Sequence, residues 1–308
     1  MSGGSVTDRA TYAAYRAGAW VAQTLPFPMA NGLARFGGRV ATVSMRGRRT
    51  MVERHQRRAA GRELTAAELH DRTRDTFDSY ARYWLEIFRL PVDVRAGIIE
   101  RHFDIDGYEH VEDAVAAGRG VILALPHLGG WEWAGAWMAE QGHKLLAVVE
   151  PVEPPELFEW FAEQRNAFGL EIVPLGPDVS SHVLRALRDN RIVCLLCDRD
   201  LTGDGIEVEF FGERTTLPAG PAMLALRSGA ALLPVATYFR PHRGHHAQVL
   251  PPVPVAREGR LREDISRLTQ ALAHDFEQLI REAPEQWHLL QPNWPSDRLS
   301  EQRGTRCE

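Results

Sequence analysis

The stretch VILALPHLGGWEW, residues 121–133, reads as a buried strand, a sharp turn and the start of a helix. Val121 to Leu125 is a short run of apolar residues, the pattern of a strand covered on both faces. Pro126 ends it, because proline has no N–H for a ladder. Gly129 and Gly130 let the backbone turn tightly and approach its neighbours. Glu132 then falls near the positive end of the dipole of a helix that begins around Trp131.

The same alternation continues downstream. Apolar runs at 145–149, 171–175, 192–197, 231–239 and 247–250 predict strands, and amphipathic segments at 109–117, 131–141, 154–168, 178–189, 218–228 and 261–282 predict helices. Strands alternating with helices predict an α/β fold with a mainly parallel central sheet flanked by helices. Upstream the pattern differs. Residues 7–25 have helical spacing up to Pro26-Phe27-Pro28, a second helical stretch carries many arginines, and Thr65-Ala-Ala-Glu68 is a capping box opening a third helix with its stop expected at Pro91. The chain is therefore divided into an N-terminal helical region, 1–100, and an α/β domain, 101–308, read as one continuous structural unit.

Composition narrows the function. A chain of 308 residues with ordinary charge content, no repeat and no low-complexity tract is globular. No segment has the roughly 20 apolar residues of a membrane span, and the N-terminus lacks the pattern of a secretory signal, so a cytoplasmic chain is expected. Three cysteines argue against a disulfide framework. Cys194 and Cys197 have CxxC spacing but lie in an apolar run, which predicts buried thiols. The net charge of −5 hides a basic block, Arg35, Arg39, Arg46, Arg48, Arg49, Arg54, Arg57, Arg58 and Arg62, opposed within it by Glu53. Such a block is either a solvated helix face or a surface for anions. With no nucleic-acid motif and apolar segments on both sides, an anionic membrane is the preferred partner.

His127, just past a strand end, is a candidate general base. Its second nitrogen needs an acceptor. Glu132 is one candidate, provided that His127 is in the turn and Glu132 opens the helix. Trp131 and Trp133 read either as helix core or as an apolar wall at the site. No G-x-S-x-G elbow, P-loop or G-x-G-x-x-G turn is present. His242, His245 and His246, set among Arg240, Arg243 and Gly244, read as an exposed hairpin tip rather than a metal site.

Gly120 to Glu132, a glycine-led strand followed by histidine, four residues and an acid, resembles the signature of the bacterial acyltransferases that include the lauroyl and myristoyl transferases of lipid A. The actinobacterial phosphatidylinositol mannoside acyltransferases are the nearer resemblance. The approach segment Asp106 to Gly120, Arg165-Asn-Ala-Phe-Gly169, Asp198-Arg-Asp200, Phe211-Gly212, Leu217-Pro-Ala-Gly220-Pro-Ala and Glu285-Gln-Trp287 are similar to further family segments, in the same order along the chain.

The resemblance implies a glycerolipid-acyltransferase-like fold with N-terminal amphipathic helices. It implies transfer of palmitoyl from acyl-CoA, a co-substrate with no other cofactor or metal, to the 6-hydroxyl of a mannose on phosphatidylinositol mannosides. His127 would be the base, Glu132 and Asp198 its orienters, and Glu150 a sugar or histidine contact. Arg165 would meet a phosphate or else form a plain ion pair. Gly129 and Gly130 would offer oxyanion donors, and Asp200 would contact substrate. The Pro26 and Pro28 breaks imply peripheral attachment to the anionic cytoplasmic face of the plasma membrane. Transfer to another lipid-linked sugar, thioester or lipid hydrolysis, and non-catalytic lipid binding are the rival readings.

Overall fold

The computed structural model describes residues 6–298; residues 1–5, the chain beyond 298 and with it Cys307 lie outside it. Helices α1 (Val6–Thr24), α2 (Phe27–Ser44), α3 (Arg46–Ala60) and α4 (Ala66–Arg95) come first. They are followed by β1 (Phe103–Asp106), α5 (Tyr108–Ala116), β2 (Val121–Leu125), α6 (Trp131–Glu140), β3 (Leu145–Val149), α7 (Pro155–Asn166), β4 (Leu170–Pro174), α8 (Val179–Arg188) and β5 (Ile192–Leu196). The chain then forms β6 (Ile206–Phe210), β7 (Glu213–Leu217), α9 (Gly220–Ser228), β8 (Ala231–Phe239), β9 (His245–Val249) and α10 (Leu261–Glu282).

The predicted α/β architecture with a mostly parallel sheet is what the chain adopts. Seven strands run in the order β1-β9-β8-β2-β5-β3-β4, and within that sheet only the β8–β9 pair is antiparallel. Strand β2 shows why the opening stretch decided this. Ile122 and Ala124 enter one core with α8, α9 and α10, while Val121, Leu123 and Leu125 enter the opposite core with α5 and α6. Alternate residues point to opposite faces, so a strand with helices on both faces must be apolar throughout. Each large aliphatic side chain so buried contributes about 1.5–3 kcal/mol.

The structure also departs from expectation. The second helical stretch is two helices, α2 and α3, broken at Met45. Helix α4 passes through Pro91 to Arg95 instead of stopping there. Around the proline, Leu90 is buried and Asp93 pairs with Arg89 and with Arg243 at 2.5 Å, so tertiary contacts outweigh the one lost backbone bond. The short strand β1 and the antiparallel hairpin β6–β7 were not foreseen.

Much of the basic block is paired with acids from elsewhere. Arg58 binds Glu213 and Asp297 and stacks over Trp294, Arg54 meets Asp297, and Arg35 and Arg39 share Asp78. His245 corrects the hairpin-tip reading. The tip itself is at 241–244, but His245 is fully buried, stacked on Trp133 and bonded to Glu86 at 2.6 Å. Burial would push the Glu86 carboxyl up, yet the charges of His245 and Arg82 hold it below its usual value.

Candidate active site

The β2–β5 register builds the centre of the site. Leu125 is paired with Leu196, and His127 and Asp198 each lie two residues beyond that pair, at the carboxyl ends of adjacent parallel strands. From β2 the chain goes to α6 on one face of the sheet, and from β5 it goes to the β6–β7 hairpin and α9 on the other. The two exits diverge, which opens a crevice at a topological switch point.

At that crevice the His127 Nδ1 and Asp198 Oδ1 are 2.5 Å apart. Asp198 Oδ2 accepts from the His127 backbone N–H at 3.0 Å and from the Trp287 indole at 2.7 Å. The Asp198 side chain is wholly buried, and burial raises a carboxyl pKa. Here the nearby His127 charge and the hydrogen bonds from His127 and Trp287 outweigh burial, so Asp198 is held below its ordinary value. With Nδ1 committed to Asp198, Nε2 is the nitrogen left for the cleft that His127 lines.

A segment near the C-terminus straps this pair in place. Gly129 N–H donates to the Gln286 carbonyl at 3.0 Å, and His288 N–H donates to the His127 carbonyl at 2.7 Å. Asn293 donates to the Asp198 carbonyl at 3.1 Å. Gly129 has φ +57, and a Cβ there would lie 1.9 Å from the Thr237 carbonyl oxygen, so only glycine fits this turn. The His288 ring is itself buried, which, with the His127 charge, pushes its pKa down to about 3. It is therefore neutral at physiological pH.

Other expected site residues are placed differently. Glu132 does not reach His127: it is buried against Arg165, which donates to its carboxylate from Nε at 3.0 Å and again from Nη2. Helical geometry is the reason, since α6 begins at Trp131 and turns Glu132 toward α7 and α4. Burial would lower the Arg165 pKa, but the Glu132 charge raises it, so the ion pair stands. Arg165 is thus in an ion pair with Glu132, and it also lines the cleft beside His127. Glu150 lines the cleft but is bonded to Arg199 at 3.0 Å, not to His127. Asp200 closes its own loop, accepting from Gly203 and Gly205 backbone N–H groups and from Thr216. The Gly129 N–H, already on Gln286, is not available for an oxyanion, and Gly130 is the residue at the helix start.

The cleft beside His127 encloses about 330 Å3, within the roughly 300–1,000 Å3 range of small-molecule sites. Its walls are largely apolar, including Trp84, Trp131, Phe158, Phe161, Val183 and Leu224, with Arg199 as a cationic lip. The two tryptophans of the opening stretch divide the alternatives between them, Trp131 lining the cleft and Trp133 packing in the core. Cys194 and Cys197 are buried, as read, and burial pushes the Cys194 thiol up to about 12. Trp287, Asn293 and Arg199 were not assigned roles from sequence. Trp287 and Arg199 lie inside segments already singled out, but only the packed structure shows their partners.

A histidine buttressed by a buried carboxylate, opening on an apolar cleft at the end of a parallel sheet, suits an enzyme that moves an acyl group. The chain belongs to the bacterial lipid A biosynthesis acyltransferases: the model of that family matches residues 5–296. It is 39% identical to the phosphatidylinositol mannoside acyltransferase of Mycolicibacterium smegmatis over 99% of this chain and 96% of the relative. It is 43% identical to the phosphatidylinositol mannoside acyltransferase of Mycobacterium tuberculosis over 74% of this chain and 71% of the relative. A lipid A biosynthesis acyltransferase of Haemophilus influenzae is 26% identical over 61% of this chain and 58% of its own. The family resemblance drawn from the motifs is thereby established.

Proposed function

We propose that this acyltransferase moves palmitoyl from acyl-CoA to the 6-hydroxyl of a mannose on phosphatidylinositol mannosides. The observation that carries the reading is His127, held by Asp198 at an apolar cleft, with its ring bonded to no serine or cysteine among the described residues. The nucleophile is then the hydroxyl of a second substrate. The names of the two mycobacterial relatives support the choice of acceptor.

In this mechanism Asp198 keeps the proton on Nδ1, and Nε2 takes the hydroxyl proton as that oxygen attacks the thioester carbonyl. The new C–O bond forms, the C–S bond breaks, and the CoA thiolate recovers the proton from the imidazolium. The amides at the start of α6, where Trp131 lines the cleft, are the candidates for the developing oxyanion. Arg199 is the better candidate than Arg165 for a substrate phosphate, because the Glu132 that pairs with Arg165 is buried, whereas the Glu150 that pairs with Arg199 is exposed and can give way. Acyl-CoA is a co-substrate, and no metal is invoked.

The reading extends to a glycerolipid-acyltransferase-like fold lying peripherally on the cytoplasmic face of the plasma membrane. No helix among the described residues is long and apolar enough to cross a bilayer. Trp20, Met29, Leu33, Phe36, Val40 and Val43 are nevertheless exposed on α1 and α2, next to the arginines of α2 and α3. Amphipathic helices with basic flanks bind anionic surfaces. Raising salt should weaken sedimentation with anionic vesicles; salt-independent binding would remove the arginines from this account.

The test is incubation with palmitoyl-CoA and phosphatidylinositol mannosides, with acylated lipid followed by mass beside His127→Ala. Acylated mannolipid from the wild type and a loss of about 10²–10⁴-fold in the variant are expected. Free fatty acid alone would favour hydrolysis, and an unaffected variant would end the role of His127.

A further inference from the structure

The turn that starts α6 is packed from behind by two rings. Gly130 is the last residue before that helix, and a Cβ there would meet Phe239 at 2.8 Å and the His245 ring at 3.0 and 3.2 Å, so the backbone of the turn lies directly against them. The imidazole is stacked on Trp133, with centroids 4.3 Å apart and planes 12° apart, and the Trp133 N–H donates to the Gly130 carbonyl at 3.0 Å. Glu86 of α4 holds the ring from its edge, with Oε2 at 2.6 Å from Nε2. Arg82, one turn earlier on α4, donates to the other Glu86 oxygen at 2.7 Å and to the Arg240 and Gly244 carbonyls of the β8–β9 hairpin at 2.9 and 3.2 Å.

Packing alone does not call for a histidine here. His245 is fully buried, and its Nδ1 has no hydrogen-bond partner among the described residues, a cost that a hydrocarbon side chain of similar size would avoid. Replacing a buried ion pair by apolar residues of similar volume is often neutral or stabilising. What the bond to Glu86 adds is a fixed ring plane, and with it one position for the Gly130 turn. Trp131, the next residue, lines the cleft of His127, and the amides of the same turn are the candidates for the oxyanion.

We propose that His245, held by Glu86, is a positioning residue that fixes the first turn of α6 against the reacting carbonyl. His245 does not line the cleft and acts only through the backbone of Gly130 and Trp131. This rests on the acyl-transfer reading above.

The test replaces the pair by hydrocarbon, His245→Leu with Glu86→Met, and follows CoA release from palmitoyl-CoA beside a melting curve. Arg82 keeps its two carbonyl partners in this variant. A branched leucine cannot lie flat behind Gly130, and misplacing a reacting geometry by about 1 Å costs roughly 100-fold. The expected result is a kcat lower by about 100-fold with the donor KM and the melting temperature held. Glu86→Gln and Glu86→Met, each alone, repeat the test with His245 in place. Whichever end of the amide faces Nε2, the neutral ring can bond to it, because Nδ1 is uncommitted; Glu86→Gln should therefore keep kcat, and Glu86→Met should lose it. Gly130→Ala pushes the same turn from the front, and its loss should combine less than multiplicatively with that of the pair variant, since both act by one displacement. Unchanged kcat in the pair variant would overturn the proposal, as would multiplicative losses. A kcat that falls only in step with the melting temperature would make the role structural and overturn it equally. The mass of the product keeps the proposed function separate: palmitic acid in place of acylated mannolipid would remove the acceptor, while CoA release still decides the role of His245.

Discussion

Trp287→Phe tests whether the C-terminal strap sets up the chemistry or only packs. The indole N–H donates to Asp198 Oδ2 at 2.7 Å in a fully buried setting, and phenylalanine keeps an aromatic ring there but not the donor. A hydrogen bond to a charged group contributes about 1.5–3 kcal/mol. If that whole amount is expressed as poorer orientation of Asp198 in the transition state, kcat falls roughly 10–150-fold, at about 1.4 kcal/mol per tenfold. Trp287 does not line the cleft, so the donor KM should hold. Losing a bond to the charged form raises the Asp198 pKa, so the acid limb of the kcat profile should move to higher pH. Trp294→Phe is the control, because its indole donates at 3.2 Å to the neutral Phe210 carbonyl. It should cost stability with kcat intact. CoA release at saturating palmitoyl-CoA, recorded across pH with a melting curve for each variant, separates the cases. A Trp287→Phe enzyme with lowered melting temperature but unchanged kcat and pH profile would refute the positioning role.

Asp198→Asn should lower kcat by about 10²–10⁴-fold, because an amide has a single acceptor oxygen. With that oxygen taken by the His127 N–H and Trp287, its NH2 faces Nδ1 and holds the imidazole in the wrong tautomer; full activity would exclude Asp198 as the orienter. The folded-state pKa of Asp198 is lowered, so its stabilisation is present above the unfolded value of about 3.9 and is lost as pH falls through the folded value. Acid unfolding should accordingly be shallower in Asp198→Asn. Glu132→Gln leaves a buried guanidinium without its charge partner and should cost about 3–5 kcal/mol, with much of it recovered in the double variant with Arg165→Met. Additive losses in that cycle, read by urea unfolding, would contradict the coupling. Gly129→Ala combines a left-handed backbone penalty of about 1–3 kcal/mol with an overpacking penalty of about 1–3 kcal/mol against Thr237. Gly142→Ala, also at positive φ but with open space, should show the first alone, and equal melting shifts would rule out the clash.

Local sequence was enough for the strand, turn and helix of 121–133, for the alternation that makes an α/β sheet, and for His127 at a strand end. Each depends on periodicity and turn chemistry, which a segment carries within itself. The ordered motifs were likewise enough for the family. The acid that holds His127 was not legible in the same way. Glu132, five residues away, was as good a partner on paper as Asp198, which is 71 positions downstream. The choice was made when β2 paired with β5 in a register that puts Leu125 opposite Leu196, while α6 carried Glu132 away to Arg165. The same holds for Trp287, 89 positions from Asp198, and for the arginines of α3 that find Glu213 and Asp297. Strand order, register and helix docking are set by burying the whole core at once. Pairings between distant segments therefore exist only in the packed molecule, whereas period and punctuation can be read one segment at a time.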